Sequence, residues 1–198
     1  MIFELMDINL IIVAIYSYLL GSIPFGLLLT RIFLKKDIRT VGSGNIGTTN
    51  VLRTGNKFLA ITTLTLDLLK GYISVYITIF YFESLTSLSA LICFIGHIFP
   101  FWLKFKGGKG VATYLGVILA LSYKFFFIFV IAWISLSLLF RFASLSSMIS
   151  TLIVFLYAYF YEINNSVLIL FIFFVMILFT HKENILRLKS STENKIKL

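Results

Sequence analysis

The sequence predicts an all-α, polytopic integral membrane protein, and three observations lead to this fold class. Apolar residues make up 60% of the 198 positions and charged residues only 13%, with a mean hydropathy of +1.02, whereas soluble domains carry about 45–50% and about 25%. The apolar excess forms uncharged runs at 8–30, 84–103, 142–161 and 163–180. The basic residues concentrate in alternate connections. A soluble domain, a disordered chain and a nucleic-acid-binding domain are excluded, because about 20 apolar residues in a row cross a bilayer.

Hydropathy divides the chain into about seven transmembrane helices within a single domain that covers residues 1–198. Acidic residues replace the basic start of a cleaved signal peptide, so we expect the first segment to be retained. The fourth and fifth segments are short, and we expect short tilted helices or a broken pair there. The predicted segments are 8–33, 58–82, 85–103, 111–122, 125–140, 142–161 and 164–180.

The distribution of basic residues predicts the orientation in the membrane. All Lys and Arg residues except Lys70 and Lys124 lie in the connections after segments one, three and five and in the tail after segment seven, segment ends included. Because basic loops stay cytoplasmic, we predict an outer N-terminus and a cytoplasmic C-terminus. This requires an odd number of spans, seven, or five if segments four and five are misread. The net charge of +9 favours anionic lipid or anionic substrates as partners, and not nucleic acid.

The first candidate site is the loop at 37–55, which is rich in glycine and hydrogen-bond donors. It contains the pattern G-x-G-x-x-G, but no strand precedes it and no acidic residue follows at the spacing of a dinucleotide site. Glycines let the backbone approach an anion and expose its N–H groups. A flexible solvated loop is the alternative. The candidate phosphate-binding side chains are Ser43, Asn45, Thr48, Asn50 and Arg53.

The second candidate site lies at 96–113, where lysines and glycines directly precede an apolar helix. Helix N-terminal amides combined with lysines form a natural phosphate site. A basic loop with glycines for a tight turn is the alternative. His97 fits a helix-packing hydrogen bonder and a catalyst equally well. The candidate binding residues are Lys104, Gly107, Gly108, Lys109 and Gly110.

The third candidate site is the tail from residue 180 onward. His181, Asn184 and Arg187 recur every three residues, so the first two at least share a helical face; a simple basic stop-transfer tail is the alternative.

Within the second segment, Asp67 and Lys70 carry charges that each cost at least about 2.5–3.5 kcal/mol near a bilayer centre. Their i, i+3 spacing allows pairing. We interpret them as a structural pair that positions the loops, with substrate contact as the alternative.

Several kinds of chemistry are missing from the sequence. It contains no cluster of carboxylates that suits Mg²⁺, and we predict neither a metal nor another cofactor. The single Cys93 excludes an internal disulfide and is more typical of an inert core residue than of a nucleophile. The motif H-x-x-x-x-D, the usual acyltransferase dyad, is also absent.

The chain resembles the acyl-phosphate:glycerol-3-phosphate acyltransferases of bacterial membranes, in motifs that occur in order over essentially its whole length. The motifs are GSIPFG at 21–26, DIR…VGSGNIGTTNVLRTG at 37–55, LDLLKG at 66–71, GHIFPFWLKFKGGKGVAT at 96–113 and HKENILRL…TENK at 181–195. The resemblance implies a seven-helix membrane enzyme that moves a fatty acyl group from acyl phosphate to the 1-hydroxyl of glycerol 3-phosphate. The products are lysophosphatidate and phosphate, and neither acyl-CoA nor acyl carrier protein takes part.

The resemblance also implies roles for residues in the three sites. The glycine-rich second site is expected to bind glycerol 3-phosphate, and Glu183 is expected to be structural. The sequence departs from the family pattern at Thr48, where Ala is favoured, and at Ser191, where Gly is favoured. The second departure puts the turn geometry of the tail in doubt. The residues implied to matter for activity are Ser43, Asn45, Arg53, His181 and Asn184.

The chemistry of this reaction agrees with the residue types in the three sites. Acyl phosphate is already activated, so the protein needs phosphate clamps and orientation more than a strong nucleophile. We hypothesise that a substrate phosphate oxygen takes the hydroxyl proton. The expected location is the bacterial cytoplasmic (inner) membrane, with the active site on the cytoplasmic side. A small anion transporter or lipid-binding membrane protein is the alternative, although the sequence lacks the internal repeats typical of transporters.

Overall fold

The structure, a computed structural model, describes residues 2–161 and 166–196, with side chains from residue 8 onward. Within these ranges the chain forms α-helices and short 3-10 turns and no strand, which confirms the predicted all-α class. The helices are α1 Ile2–Ser22, α2 Phe25–Leu34, α3 Thr48–Leu52, α4 Lys57–Tyr81, α5 Thr86–Ile98, α6 Val111–Leu121, α7 Tyr123–Phe140, α8 Ala143–Tyr161, α9 Ser166–Thr180 and α10 Lys182–Lys189.

Each of the seven predicted segments is mainly helical in its described residues, which exclude 164 and 165 of the seventh segment. The helices differ in length. Among the described residues, five candidate spans are long and apolar enough to cross a membrane, and the count is six if α9 and α10, bent by 59°, form one span. The predicted short fourth segment is α6, whose 11 residues rise about 16 Å, roughly half of the hydrocarbon core. The fifth segment, predicted to be short, is the 18-residue helix α7.

The chain divides into two compact units, Met1–Leu121 and Ser122–Leu198. In the first unit, α4 packs against α1, α5 and α6, and α1 also packs along α5. In the second unit, α8 packs against both α7 and α9. Large apolar side chains such as Phe58, Ile131 and Leu168 are mostly exposed, as expected of helices whose outer faces meet lipid tails.

Glycine allows the helices of the first unit to approach closely. A Cβ added at Gly21 would lie 2.0 Å from the carbonyl oxygen of Cys93, where α1 packs on α5. A Cβ added at Gly116 would lie 1.9 Å from the carbonyl oxygen of Leu68, where α6 packs on α4. Membrane helices commonly use small residues at such contacts, so a side chain at either glycine would separate a pair of helices.

The first span is broken at Pro24, between α1 and α2. The proline interrupts the helix, so the carbonyls just before it lose the donors that a continuous helix would supply four residues later. The Trp102 indole donates to the carbonyl of Ser22, and the Lys70 ammonium donates to the carbonyl of Ile23, both at 2.7 Å. Because lipid offers no donors, these two side chains stabilise the break from within the protein.

The two charges inside α4 form the ion pair that their spacing predicts. Lys70 Nζ lies 2.8 Å from Asp67 Oδ1, and both side chains are almost fully buried. The Nδ1 atom of His97 in α5 lies 3.8 Å from the same carboxylate oxygen. These groups therefore face the interior of the first unit, and they link α4 to α5 and to the broken first span.

Candidate active site

Asn50 organises the first loop from its buried position in α3. Its side-chain nitrogen lies within hydrogen-bond distance of three backbone carbonyls, those of Ile38, Val41 and Asn45, at 2.8–3.0 Å. Its side-chain oxygen accepts from the amide of Ser43 at 3.0 Å. Asn50 therefore satisfies the backbone of the loop itself, and its amide is used in holding the loop's shape.

Asn45 is also hydrogen-bonded within the loop, and the hydroxyl of Thr48 is buried. Asn45 Oδ1 accepts from the amide of Gly47 at 2.9 Å. The hydroxyl of Thr48 is buried and has no hydrogen-bond partner among the described residues. The two asparagines therefore shape the loop. The phosphate-binding role expected for Asn45, Asn50 and Thr48 stays a prediction.

Ser43 and Arg53 are exposed at the surface of the same loop. Gly42, in the left-handed conformation at φ +56°, lies against Arg53, since a Cβ there would lie 2.8 Å from Arg53 Cδ and 3.2 Å from Arg53 Nη1. The Arg53 guanidinium thus lies against the residue that precedes Ser43. A hydroxyl and a guanidinium on one loop are both able to bind the oxygens of a phosphate.

The other arginines of this region are already paired with an acid. Asp37 accepts from Arg39 and Arg31, each at 2.7 Å, and these hydrogen bonds hold the pKa of Asp37 well below its usual range, with Arg39 as the larger cause. Arg53 makes no ion pair within residues 8–161 and 166–196. The positive charge available to an anion at this loop therefore comes from Arg53.

The glycines of the second site pack the loop onto the C-terminal end of α5. The amides of Gly107 and Gly108 donate to the carbonyls of Ile98 and His97, at 2.9 and 3.1 Å. A Cβ at Gly107 would lie 2.1 Å from the His97 carbonyl oxygen. In this structure both amides are therefore occupied by carbonyls of the protein, and the expectation that Gly107 and Gly108 bind phosphate stays a prediction.

The second site also includes the start of α6. The first turn of an α-helix carries N–H groups without intrahelical partners, and α6 begins at Val111, directly after Gly110. Gly110 has φ +89°, a conformation that side chains rarely adopt. Lys104 is exposed and Lys109 is half-buried. These two lysines and the first turn of α6 are the anion-binding groups that this segment presents.

His181 follows α9 directly and precedes α10, at the bend between these helices. Its side chain is almost fully buried. Its Nδ1 lies 2.8 Å from the carbonyl oxygen of Ile177, and because a carbonyl can only accept, Nδ1 carries the proton. In the neutral form of the ring the lone pair is then on Nε2, which is an acceptor.

Glu193 binds the other two polar residues of the third site. Its Oε1 accepts from Asn184 Nδ2 at 2.6 Å, and its Oε2 accepts from Arg187 Nε at 2.7 Å. Ser144 Oγ in α8 also donates to Oε1, at 2.8 Å. By contrast, Glu183 is mostly exposed, and its nearest carboxylate oxygen is 3.9 Å from Arg187.

These contacts determine the charge of Glu193. Burial raises the pKa of Glu193, but the hydrogen bonds from Asn184, Arg187 and Ser144 outweigh it and hold the pKa below the ordinary value of 4.5. A lowered carboxyl pKa stabilises the folded state at neutral pH. This stabilisation is present above the ordinary pKa of 4.5. It is lost as the pH falls from 4.5 through the lowered pKa of the folded state.

Sequence reasoning missed Ser144 and Glu193 as parts of the third site. Glu193 by itself is a weak signal in a basic tail that also contains Glu183. The sequence does not show that the tail folds back onto α8 and α10. The fold-back requires Ser191 at φ +56°, in the conformation that favours glycine. The family preference for Gly at this position thus has a structural reason.

The fold and these sites define an integral membrane protein with basic, glycine-rich loops and a buried histidine whose Nδ1 is held by a backbone carbonyl. The chain belongs to the glycerol-3-phosphate acyltransferase family, whose sequence pattern matches residues 11–191. This is an enzyme family, so the comparisons support an enzyme and not the alternative of a transporter or lipid-binding protein.

The relatives match along nearly their whole length. The glycerol-3-phosphate acyltransferase of Pelagibacter ubique is 50% identical over 188 residues, which is 95% of this chain and 98% of the relative. That of Mesorhizobium japonicum is 46% identical, over 96% and 98%. The crystal structure of PlsY (YgiH), an integral membrane glycerol 3-phosphate acyltransferase, in its glycerol 3-phosphate form has a TM-score of 0.91 at 34% identity and covers 96% of both chains. Its lysophosphatidic acid form has a TM-score of 0.88.

Proposed function

We propose that this protein transfers a fatty acyl group from acyl phosphate to the 1-hydroxyl of glycerol 3-phosphate. The products are 1-acyl-glycerol 3-phosphate and phosphate, so the reaction is the first step of phospholipid synthesis. The observation that carries the proposal is the match, over 96% of both chains, to PlsY in a glycerol 3-phosphate form and a lysophosphatidic acid form. These two molecules are the acceptor and the product of the proposed reaction.

The proposed reaction needs orientation more than a protein nucleophile. The 1-hydroxyl oxygen attacks the acyl carbonyl carbon, the bond from that carbon to the phosphate oxygen breaks, and the hydroxyl proton goes to a phosphate oxygen. The mixed anhydride is already activated, so holding the reactants in line supplies much of the rate. This accounts for an active site without a carboxylate–histidine dyad.

His181 and Asn184 orient glycerol 3-phosphate in this proposal, both as hydrogen-bond acceptors. His181 offers the lone pair of Nε2, because Nδ1–H is bound to Ile177. Asn184 turns its side-chain oxygen away from Glu193, because its nitrogen donates to that carboxylate, and we expect this oxygen to face glycerol 3-phosphate. An acceptor beside the attacking hydroxyl aligns its proton and raises the electron density on its oxygen.

The phosphate groups bind to the basic groups of the loops. Ser43 and Arg53 at the first loop, with Lys104, Lys109 and the first turn of α6 at the second, hold the acyl phosphate or the leaving phosphate. Arg187 binds Glu193 through Nε and lies 3.9 Å from Glu183 through Nη1, and we expect its guanidinium to add positive charge to the anion site. Charge-assisted hydrogen bonds of this kind are about twice as strong as neutral ones.

The proposal includes a location in the bacterial cytoplasmic membrane, as a single enzyme domain with its active site on the cytoplasmic side. The basic connections support it, because positively charged loops remain inside. We expect the acyl chain of the donor to lie within the bilayer, beside the lipid-facing apolar surfaces. Neither acyl-CoA nor acyl carrier protein is expected to serve as donor.

A direct assay tests the function. Purified protein in detergent or lipid receives palmitoyl phosphate and glycerol 3-phosphate, and phosphate release and 1-palmitoyl-glycerol 3-phosphate are measured. Turnover with palmitoyl phosphate and none with palmitoyl-CoA is the expected result. Comparable turnover with palmitoyl-CoA would overturn the donor assignment. Absence of turnover with both donors, together with flux of glycerol 3-phosphate into liposomes, would favour the transporter alternative.

A further inference from the structure

The tail of the chain returns to the third site through one carboxylate. Glu193 follows α10, and its side chain is only 7% exposed although its neighbours Thr192 and Asn194 are exposed. The backbone turns at Ser191 in the left-handed conformation. A buried acid in an exposed basic tail costs desolvation, so the contacts of this carboxylate must offset that cost.

Those contacts fix the direction of the Asn184 amide. A carboxylate only accepts hydrogen bonds, so the nitrogen of Asn184 and not its oxygen faces Glu193, at 2.6 Å. The oxygen of Asn184 therefore points away from Glu193. The same carboxylate holds Arg187 at 2.7 Å through its other oxygen.

We propose that Glu193 is a positioning residue for acyl transfer, which acts by orienting the Asn184 amide and the Arg187 guanidinium. This proposal rests on the proposed function. A neutral amide at position 193 cannot do the same, because its NH₂ group would face either Asn184 Nδ2 or Arg187 Nε, both of which are donors. Either Asn184 turns over, presenting its nitrogen to the substrate, or Arg187 moves.

The decisive variant is Glu193→Gln, with Glu183→Gln as the matched control. Glu183 lies in the same segment, its side chain is 74% exposed, and it lies 3.9 Å from Arg187. Exposed ion pairs contribute little free energy, so Glu183→Gln should change kcat less than twofold. Glu193→Gln should lower kcat by about ten- to a hundredfold, because a small misplacement of an orienting group has effects of that size. Its KM for palmitoyl phosphate should stay within about twofold.

A double-mutant cycle separates positioning from a general structural role. Asn184→Ser keeps a small polar group but lacks the amide that Glu193 orients. Because Glu193 acts in part through Asn184, adding Glu193→Gln to Asn184→Ser should lower kcat by clearly less than Glu193→Gln does in the wild-type background, since coupled residues are not additive. Independent, multiplying losses in kcat would overturn the proposal.

The remaining outcomes are also decisive. Wild-type protein without turnover contradicts the proposed function, whereas active wild type with an equally active Glu193→Gln variant contradicts only the positioning role. If Glu193→Gln does not yield folded protein by size exclusion and thermal unfolding, Glu193→Asp takes its place. It keeps an accepting carboxylate but draws it one methylene away from Asn184 and Arg187, so kcat should fall, by less than in Glu193→Gln. Failure of both variants to fold, with Glu183→Gln folded, would make Glu193 purely structural and overturn the proposal.

Discussion

Gly108 lies directly against the imidazole of His97: a Cβ at Gly108 would be 2.1 Å from Nε2 and 2.8 Å from Cε1 of that ring. The ring is buried, and its other nitrogen faces the Asp67–Lys70 pair. His97 therefore supports the glycine loop from inside the first unit. This contact favours the packing interpretation of His97 over a catalytic one.

Gly108→Ala should displace the loop that carries Lys104 and Lys109. Overpacking of this kind costs about 1–3 kcal/mol, and we expect a higher KM for a phosphate substrate with a smaller change in kcat. Steady-state kinetics of the purified variant measure this. Combining it with His97→Ala removes the ring and should recover part of the KM; if the double variant is worse than Gly108→Ala alone, the contact does not explain the glycine.

Lys109→Ala should chiefly weaken anion binding. A hydrogen bond to a charged group is worth about 1.5–3 kcal/mol, or about ten- to a hundredfold in affinity. The KM for one phosphate substrate should rise by that factor, and high substrate concentration should restore much of the turnover. A large fall in kcat at saturation with unchanged KM would contradict a binding role.

His181→Ala should behave in the opposite way. If the imidazole orients the attacking hydroxyl, its contribution is made in the transition state, and saturating substrate cannot restore the rate. We expect kcat to fall by at least about a hundredfold in protein that is folded and inserted in the membrane. Near-normal turnover at saturating substrates would leave His181 as a residue that only stabilises the end of α9.

Ser191→Gly should stabilise the tail. Ser191 has φ +56°, and the left-handed conformation costs a non-glycine residue about 1–2 kcal/mol. We expect a higher Tm in detergent without loss of activity. As a control, Ser190→Gly replaces a neighbour at φ −88°, where glycine gains nothing and should lower the Tm slightly. A lower Tm for Ser191→Gly would show that the observed turn is not the stable one.

The proposed orientation places all three sites on the cytoplasmic side. Single cysteines at Ser43, Gly107 or Ser190, in a Cys93→Ala background, should resist an impermeant thiol reagent in intact cells and react after the membrane is opened. Labelling is read by mass shift. Reaction at any of these positions in intact cells would contradict the topology.

Much of the fold could be predicted from the sequence because lipid imposes strong rules on helices. Most of the apolar runs became helices near their predicted bounds, although the first is broken at Pro24 and the third ends as an α-helix at Ile98. The i, i+3 spacing of Asp67 and Lys70 predicted the buried ion pair. The length of α7 was harder to predict, since the helix begins at Tyr123 and includes a charged residue, Lys124, in its first turn. Hydropathy ends a segment at such a charge, although a helix can continue through it.

The sequence by itself determined the chemistry of this protein: which segments enter lipid, and which loops carry guanidinium, ammonium, imidazole and amide groups. Only the tertiary structure decided which of those groups already form hydrogen bonds within the protein. Asn50 and the amide of Gly108 bind the protein's own backbone, whereas Arg53 is exposed. Glu193 folds back onto Asn184. A hydrogen bond depends on where the backbone brings two atoms to within about 3 Å, and residues far apart in the sequence meet only through the fold.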